Sequence, residues 1–191
     1  VIVIFGGAFN PPTRAHLEIY RHVRKHVLFR KFIFLPVSSL YTKRSLASNQ
    51  HRYQMLKLLV EGLEDVEVST LELEDTDYLG TYQSLIRIQE HYPKEELAFL
   101  IGADNLTKLH KWINARSLVA EFKFIVINRN QSDIGGLIGN DPFLSEFSKQ
   151  FIILPHFDYA MSSTRFRETF DELLLTKEVF SYINTHQLYR G

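Results

Sequence analysis

The sequence predicts a doubly wound, Rossmann-like α/β fold, a parallel sheet with helices on both faces, and three observations predict it. Short apolar, β-rich runs alternate with segments of helical period along the whole chain. The runs are nearly continuous in apolar residues, as strands buried on both faces require. Polar, irregular segments follow the strands, which is where ligands bind in such sheets.

Taken in order, VIVIF at 1–5 is the first strand, ending in Gly6 and Gly7. A helical period over 13–27 follows the turn residues Asn10, Pro11 and Pro12. FIFLPV at 32–37 is the second strand, followed by a polar loop to residue 48 and a helix over 49–63. VEVSTLEL at 66–73 reads as a strand, 81–91 as a helix, and LAFLIG at 97–102 as a strand. A helical stretch over 104–120 precedes FKFIVIN at 122–128, a polar loop over 128–142, and FIILP at 151–155. A helical region from about residue 163 closes the chain, and residues 1–191 are expected to form a single domain.

The composition is 45% hydrophobic and 23% charged, that of an ordinary globular protein. Lys plus Arg equals Asp plus Glu, 22 each, so no overall field would attract a nucleic acid polymer. No apolar run approaches a membrane span, and the five-residue opening run does not read as a signal peptide. The expected location is cytoplasmic. The absence of cysteine excludes disulfides, a thiolate nucleophile and Cys-based metal sites, and the histidines show no metal-ligand spacing.

The chemistry concentrates in two segments. In GGAFNPPTRAH, glycines allow a tight turn and a close approach of backbone N–H groups to a phosphate, with a purely structural turn as the alternative. The segment is neither GxGxxG nor GxxxxGK[ST], which speaks against a dinucleotide-dependent oxidoreductase and a P-loop enzyme. Thr13 and His16 share one face of the first helical turn. A charged Arg14 or His16 there opposes the helix dipole by about 0.3–1 kcal/mol, and a bound phosphate reverses the sign. In MSSTRFR, the hydroxyls of Ser162, Ser163 and Thr164 beside Arg165 and Arg167 form a second phosphate cradle at a helix start.

These residues carry a resemblance. GGAFNPPTRAH resembles the GGTFDPxHxGH signature of the nucleotidyltransferase superfamily, in which the first His can be Thr, and MSSTRFR resembles its ISSTxxR signature. Within that superfamily the chain is most similar to the bacterial nicotinate-nucleotide adenylyltransferases. FLPVSSLYTKR resembles their proline and HK loop, HRYQML their RxxML helix, FLIGADNLTKLHKW their IIGADxxxxLxxW segment, and VFSYINTHQLY their terminal VxxYIxxxxLY. It departs at Asn10 (for Asp), Ala15 (for Gly), Met161 (for Ile) and LGTYQSL, where the family has SYT followed after three residues by Leu.

The resemblance implies transfer of adenylate from ATP to nicotinate mononucleotide, giving nicotinate adenine dinucleotide and pyrophosphate in NAD biosynthesis. The catalytic set it implies is His16, Thr13, Lys43 and Arg167, with Gly7, Ala8, Phe9, Gly102, Asp104, Arg129, Ser162, Ser163 and Thr164 on ATP. Thr81, Tyr82 and Trp112 would bind the mononucleotide. From the residues alone, Asp104 reads equally as a helix cap, Arg129 as a solvated arginine and Trp112 as a core or interface aromatic. Mg²⁺ is expected on the ATP phosphates rather than in a protein cage. The expected partners are ATP and nicotinate mononucleotide, with a homo-oligomer allowed. The alternatives are an adenylyltransferase for nicotinamide mononucleotide or phosphopantetheine, and a non-catalytic nucleotide-binding regulator.

Overall fold

The computed structural model describes residues 1–40, 42, 45–129, 132–158 and 162–190. Its six strands are β1 (Ile2–Gly7), β2 (Lys31–Pro36), β3 (Val66–Val68), β4 (Leu97–Gly102), β5 (Lys123–Ile127) and β6 (Phe151–Ile153). They are ordered β3-β2-β1-β4-β5-β6, the order of the doubly wound dinucleotide-type sheet. The chain divides into two compact units, Val1–Phe5 with Leu28–Lys31 and Tyr78–Asp158, and Gly6–Val27 with Phe32–Asp77 and Tyr159–Gly191.

In the first unit β1 pairs in parallel with β4, β4 with β5, and β5 with β6. Ile2, Val3 and Ile4 of β1, and Phe124, Ile125 and Val126 of β5, are completely buried, which is why these strands carry no alternating polar face. Helix α3 (Thr81–His91) contributes Leu85 and Ile88 to this core, and α5 (Ala115–Glu121) contributes Leu118 and Val119.

The predicted helix over 104–120 is broken into α4 (Ala103–Leu106), a 3₁₀ turn (Leu109–Lys111) and α5. Leu106 and Leu109 are both fully buried, so the chain tightens to keep each inward, and Asn114 then turns through a left-handed conformation at φ 54°. The polar loop after β5 contains a helix that its glycines concealed, α6 (Ile134–Asn140), capped by Asp133, and a second, α7 (Pro142–Glu146), capped by Asp141, begins at its last residue.

In the second unit β2 pairs in parallel with β3. Only Val66–Val68 of VEVSTLEL is strand, because Ser69 turns the chain, its Oγ accepting from the Leu71 N–H at 3.1 Å. Helix α1 (Arg14–His26) buries Ile19 and Val23 and packs Tyr20 edge-to-face on Phe32 of β2, and α2 (Asn49–Leu59) buries Met55 and Leu56. Helix α8 (Ser163–Thr169) buries Phe166, and α9 (Lys177–His186) buries Val179 and Ile183. Helix α2 ends four residues earlier than the apolar pattern suggests, and Gly62 completes the exit at φ 85°. Among the described residues no helix is long and apolar enough to cross a membrane.

Candidate active site

Both predicted phosphate-binding segments lie in the second unit, and its hydrogen bonds join them. The first begins at the end of β1. A Cβ on Gly7 would meet the Phe9 ring at 3.3 Å, so the glycine makes room for that ring. Phe9 is buried at φ 49° and packs edge-to-face on His16 and Phe34, with ring centroids at 5.0 and 5.4 Å. A bulky residue in this left-handed region costs about 1–2 kcal/mol, and enclosure of the ring offsets it.

Arg52, completely buried, fixes the same turn: its NH1 donates to the Ala8 carbonyl at 2.9 Å, its Nε to Ala47 O at 2.9 Å and its NH2 to Asn49 Oδ1 at 2.7 Å. Pinning the Ala8 carbonyl directs the Phe9 N–H, which lies opposite it across the peptide, away from Arg52. The Asn10–Pro11 peptide is cis.

Thr13, fully buried, is the N-cap of α1. Its backbone N–H donates to His16 Nδ1 at 2.8 Å, and its Oγ1 lies 3.2 Å from the same nitrogen. An Nδ1 that accepts from a backbone N–H cannot carry a proton, so the imidazole is neutral and its N–H is Nε2. The electrostatic penalty expected for a charged His16 therefore does not arise. His16 is instead a cap whose remaining ring nitrogen is a donor, suited to a phosphate oxygen. Arg14 is exposed.

The second segment starts α8. Ser162 caps it by accepting from the Arg165 N–H at 3.0 Å. Ser163 Oγ donates to the Pro11 carbonyl at 2.7 Å, while Arg167 donates from NH1 to the Asn10 carbonyl at 2.6 Å and from NH2 to Thr164 Oγ1 at 3.2 Å. Segments about 150 residues apart thus form one arrangement, with cations and hydroxyls at the starts of two helices. Lys43 and Met161 lie outside the described residues.

Three participants were not assigned from the sequence. Arg52 belongs to the HRYQML segment, and burial of its guanidinium could not be read from a polar-looking helix start. Asn10 registers in the sequence as a turn residue and as a departure from Asp. In the fold its side chain is 3% exposed and accepts at Oδ1 from Tyr189 OH at 2.7 Å and Ala47 N–H at 3.0 Å. Tyr189 stands in the terminal QLY. Burial pushes its phenol pKa up, and the nearby Arg52 and Arg167 oppose that rise.

The first unit holds the other described residues of the prediction: Gly102, Asp104 and Arg129 lie at or just beyond strand ends, Thr81 and Tyr82 open a helix, and Trp112 closes the 3₁₀ turn before α5. Gly102 is the N-cap of α4, and a Cβ on it would lie 2.6 Å from Asp104 Oδ1. The carboxylate thus folds back over the glycine, and Asp104, exposed, is not itself the cap. Thr81 and Tyr82 open α3 after Gly80 at φ 91°. Their backbone N–H groups belong to the helix's first turn, where donors lack intrahelical acceptors. The Tyr82 hydroxyl donates to Glu121 Oε1 at 2.8 Å, a bond that raises its pKa. Trp112 is half-buried and packs edge-to-face on Phe99 at 6.2 Å, so one side of the indole is held by the core. Arg129 is exposed just beyond β5. Among the described residues no group of three or more His, Cys, Asp and Glu could hold a metal ion.

The fold and the joined motifs define a class, the α/β nucleotidyltransferases. Within it, residues 4–169 match the cytidylyltransferase-like family, and the chain belongs to that family. It is 29% identical to a probable nicotinate-nucleotide adenylyltransferase of Acholeplasma laidlawii, over 99% of this chain and 97% of that one. It is 30% identical to a probable nicotinate-nucleotide adenylyltransferase of Listeria monocytogenes, over 97% and 95%.

Among solved structures, nicotinic acid mononucleotide adenylyltransferase of Plasmodium falciparum complexed with NaAD superposes with a TM-score of 0.77 at 19% identity, covering 98% of this chain and 96% of that one. A putative nicotinate-nucleotide adenylyltransferase of Vibrio parahaemolyticus superposes with a TM-score of 0.71 at 23% identity, covering 100% and 95%. These structural likenesses establish the fold.

Proposed function

We propose that this chain transfers the adenylyl group of ATP to nicotinate mononucleotide, releasing pyrophosphate and forming nicotinate adenine dinucleotide for NAD biosynthesis. The observation that carries the reading is the joining of the two signatures, Arg167 to the Asn10 carbonyl and Ser163 to the Pro11 carbonyl, beside a neutral His16. Full-length relatives that bear the name nicotinate-nucleotide adenylyltransferase support the choice of acceptor.

A mononucleotide phosphate, with a second pKa of about 6, is largely dianionic at neutral pH and needs no general base. Its oxygen attacks the α-phosphorus in line, the bond from α-phosphorus to the bridging oxygen breaks, and pyrophosphate leaves with the electron pair. The protein's task is positioning and stabilisation of charge. His16 Nε2–H donates to an α-phosphate oxygen as charge accumulates there, with Thr13 and the N–H groups of Ala8 and Phe9 on the neighbouring oxygens. Arg167, Ser163 and Thr164 face the departing pyrophosphate, and Ser162 fixes the helix start that presents them. Lys43 is proposed on the polyphosphate by resemblance.

In the first unit, the Thr81 and Tyr82 N–H groups are proposed to bind the nicotinate carboxylate, and Trp112 to stack on the pyridine with the indole face not held by Phe99. Asp104 is proposed as acceptor for a ribose hydroxyl, with Gly102 and Arg129 on the adenylate. Mg²⁺ enters as part of the substrate Mg·ATP, since it favours phosphate oxygens and water. The cytoplasm is the proposed location.

The test is pyrophosphate release from Mg·ATP with nicotinate mononucleotide, nicotinamide mononucleotide or phosphopantetheine in parallel. Release is expected with the nicotinate compound foremost. No release with any acceptor would leave a nucleotide-binding regulator as the better reading.

A further inference from the structure

The transfer reading uses both signatures but leaves the end of the described chain without a role. Helix α9 does not end simply. Gln187 at φ 52° and Tyr189 at φ 62° both enter the left-handed region, and the Leu188 N–H returns to the Ile183 carbonyl at 3.0 Å. A non-glycine residue in this region is strained, so two within three positions mean that the surroundings dictate this path. The path delivers one group. The Tyr189 ring stands edge-to-face on the fully buried Phe166 at 6.2 Å, and its hydroxyl reaches Asn10 Oδ1 at 2.7 Å.

Asn10 is where the parts of the clamp meet. Its backbone carbonyl takes Arg167 at 2.6 Å, its Oδ1 takes the Tyr189 O–H and the Ala47 N–H, and its Nδ2 donates to Ser45 O at 3.4 Å. Ser45 and Ala47 belong to the arm that leads into α2, and Arg52 holds the Ala47 carbonyl. Two donors fill the two lone pairs of Oδ1, and one of the two Nδ2 hydrogens faces a carbonyl, so the orientation of the carboxamide is specified. This accounts for the departure from the signature's aspartate, which would set an oxygen against Ser45 O. Burial favours the protonated phenol, so Tyr189 stays a donor across the ordinary pH range.

We propose that Tyr189 is a positioning residue for adenylyl transfer: through its hydrogen bond to Asn10 it fixes the first signature loop against both Arg167 and the Ser45–Ala47 arm. The inference rests on the transfer reading. Tyr189 does not touch substrate; it holds the residue whose carbonyl places Arg167 and whose side chain places the arm. The distance between the in-line donors and the leaving group is therefore set partly by the chain's terminal segment.

The test is Tyr189→Phe, which removes only the hydroxyl. Displacements of about 1 Å in such a frame cost up to about a hundredfold in rate. The expected result is a kcat lowered about ten- to a hundredfold with the KM for nicotinate mononucleotide unchanged. In an Asn10→Ala background the same change should lower kcat no further, because the hydroxyl acts through Asn10. Hydrogen exchange of the Ala47 amide should accelerate about tenfold, while the Arg165 amide, capped by Ser162, exchanges as before.

A lower melting temperature with kcat and Ala47 exchange unchanged would overturn the proposal and leave Tyr189 a structural anchor. Absence of pyrophosphate release by the native protein would instead sink the transfer reading. The exchange measurement would then decide by itself whether Tyr189 holds the arm.

Discussion

The two units present their predicted ligand-binding residues in contrasting ways. In the second unit Thr13, Asn10 and Arg52 are buried, and Arg52, Ser163 and Arg167 each donate to a backbone carbonyl of the first signature segment. In the first unit Asp104 and Arg129 are exposed, Trp112 is held on one edge, and α3 offers only its opening N–H groups. The contrast is the one that the proposed chemistry would demand. Stabilising charge at a phosphorus atom requires donors fixed to a fraction of an ångström, whereas recognition of a pyridine ring tolerates adjustment.

The sharpest way to break this contrast is to attack the tied side. His16→Ala removes the Nε2 donor and the acceptor for the Thr13 N–H together. Loss of one transition-state donor costs about 3–4 kcal/mol, so kcat should fall on the order of a hundred- to a thousandfold. The lost cap should cost only about 1 kcal/mol of stability. Steady-state pyrophosphate release with thermal melting separates the two, and a rate within a factor of about two of the native one would take His16 out of the mechanism.

Trp112→Ala attacks the adjustable side. Removing a stacking face worth about 0.5–1.5 kcal/mol should raise the KM for the mononucleotide about two- to tenfold with little change in kcat. A lowered kcat at unchanged KM would mean that the first unit, too, serves the transition state.

The smallest effect concerns Tyr20 of α1. Burial, and then its hydrogen bond to Asp65 at 2.7 Å, push its pKa up to about 12. A raised pKa favours the protonated form in the fold. Its contribution is complete below the ordinary value of 10.0 and is lost as pH rises from there through about 12. Urea midpoints followed across that range should fall more steeply in the native protein than in Tyr20→Phe. Parallel curves would show that the phenol's proton carries no stability.

What could be read from the sequence follows the same division. The sheet was legible because buried strands are continuous apolar runs, and both signatures were legible because their residues adjoin in the chain. The roles of Arg52, Asn10 and Tyr189 were not, since a buried guanidinium or a doubly accepting carboxamide is defined by partners distant in sequence. The helix expected over 104–120 broke first after Leu106 and again at Trp112–Asn114, because periodicity registers neither the 3₁₀ tightening between Leu106 and Leu109 nor the left-handed turn at Asn114. Helix α6 was missed because Gly135, Gly136 and Gly139 lower helix propensity, and α7 because five residues are too few to show a period; each is stabilised by its cap, Asp133 or Asp141. His16 was found by its position, but its neutral tautomer needed the 2.8 Å bond from the Thr13 N–H.

The central claim is direct in-line transfer by this clamp, with no nucleophile from the protein. The stereochemistry at phosphorus tests it most directly. With ATP carrying a chiral α-phosphorothioate and nicotinate mononucleotide as acceptor, the product dinucleotide should show inverted configuration at that phosphorus. Retention would require two successive displacements through a covalent intermediate, and would contradict the account.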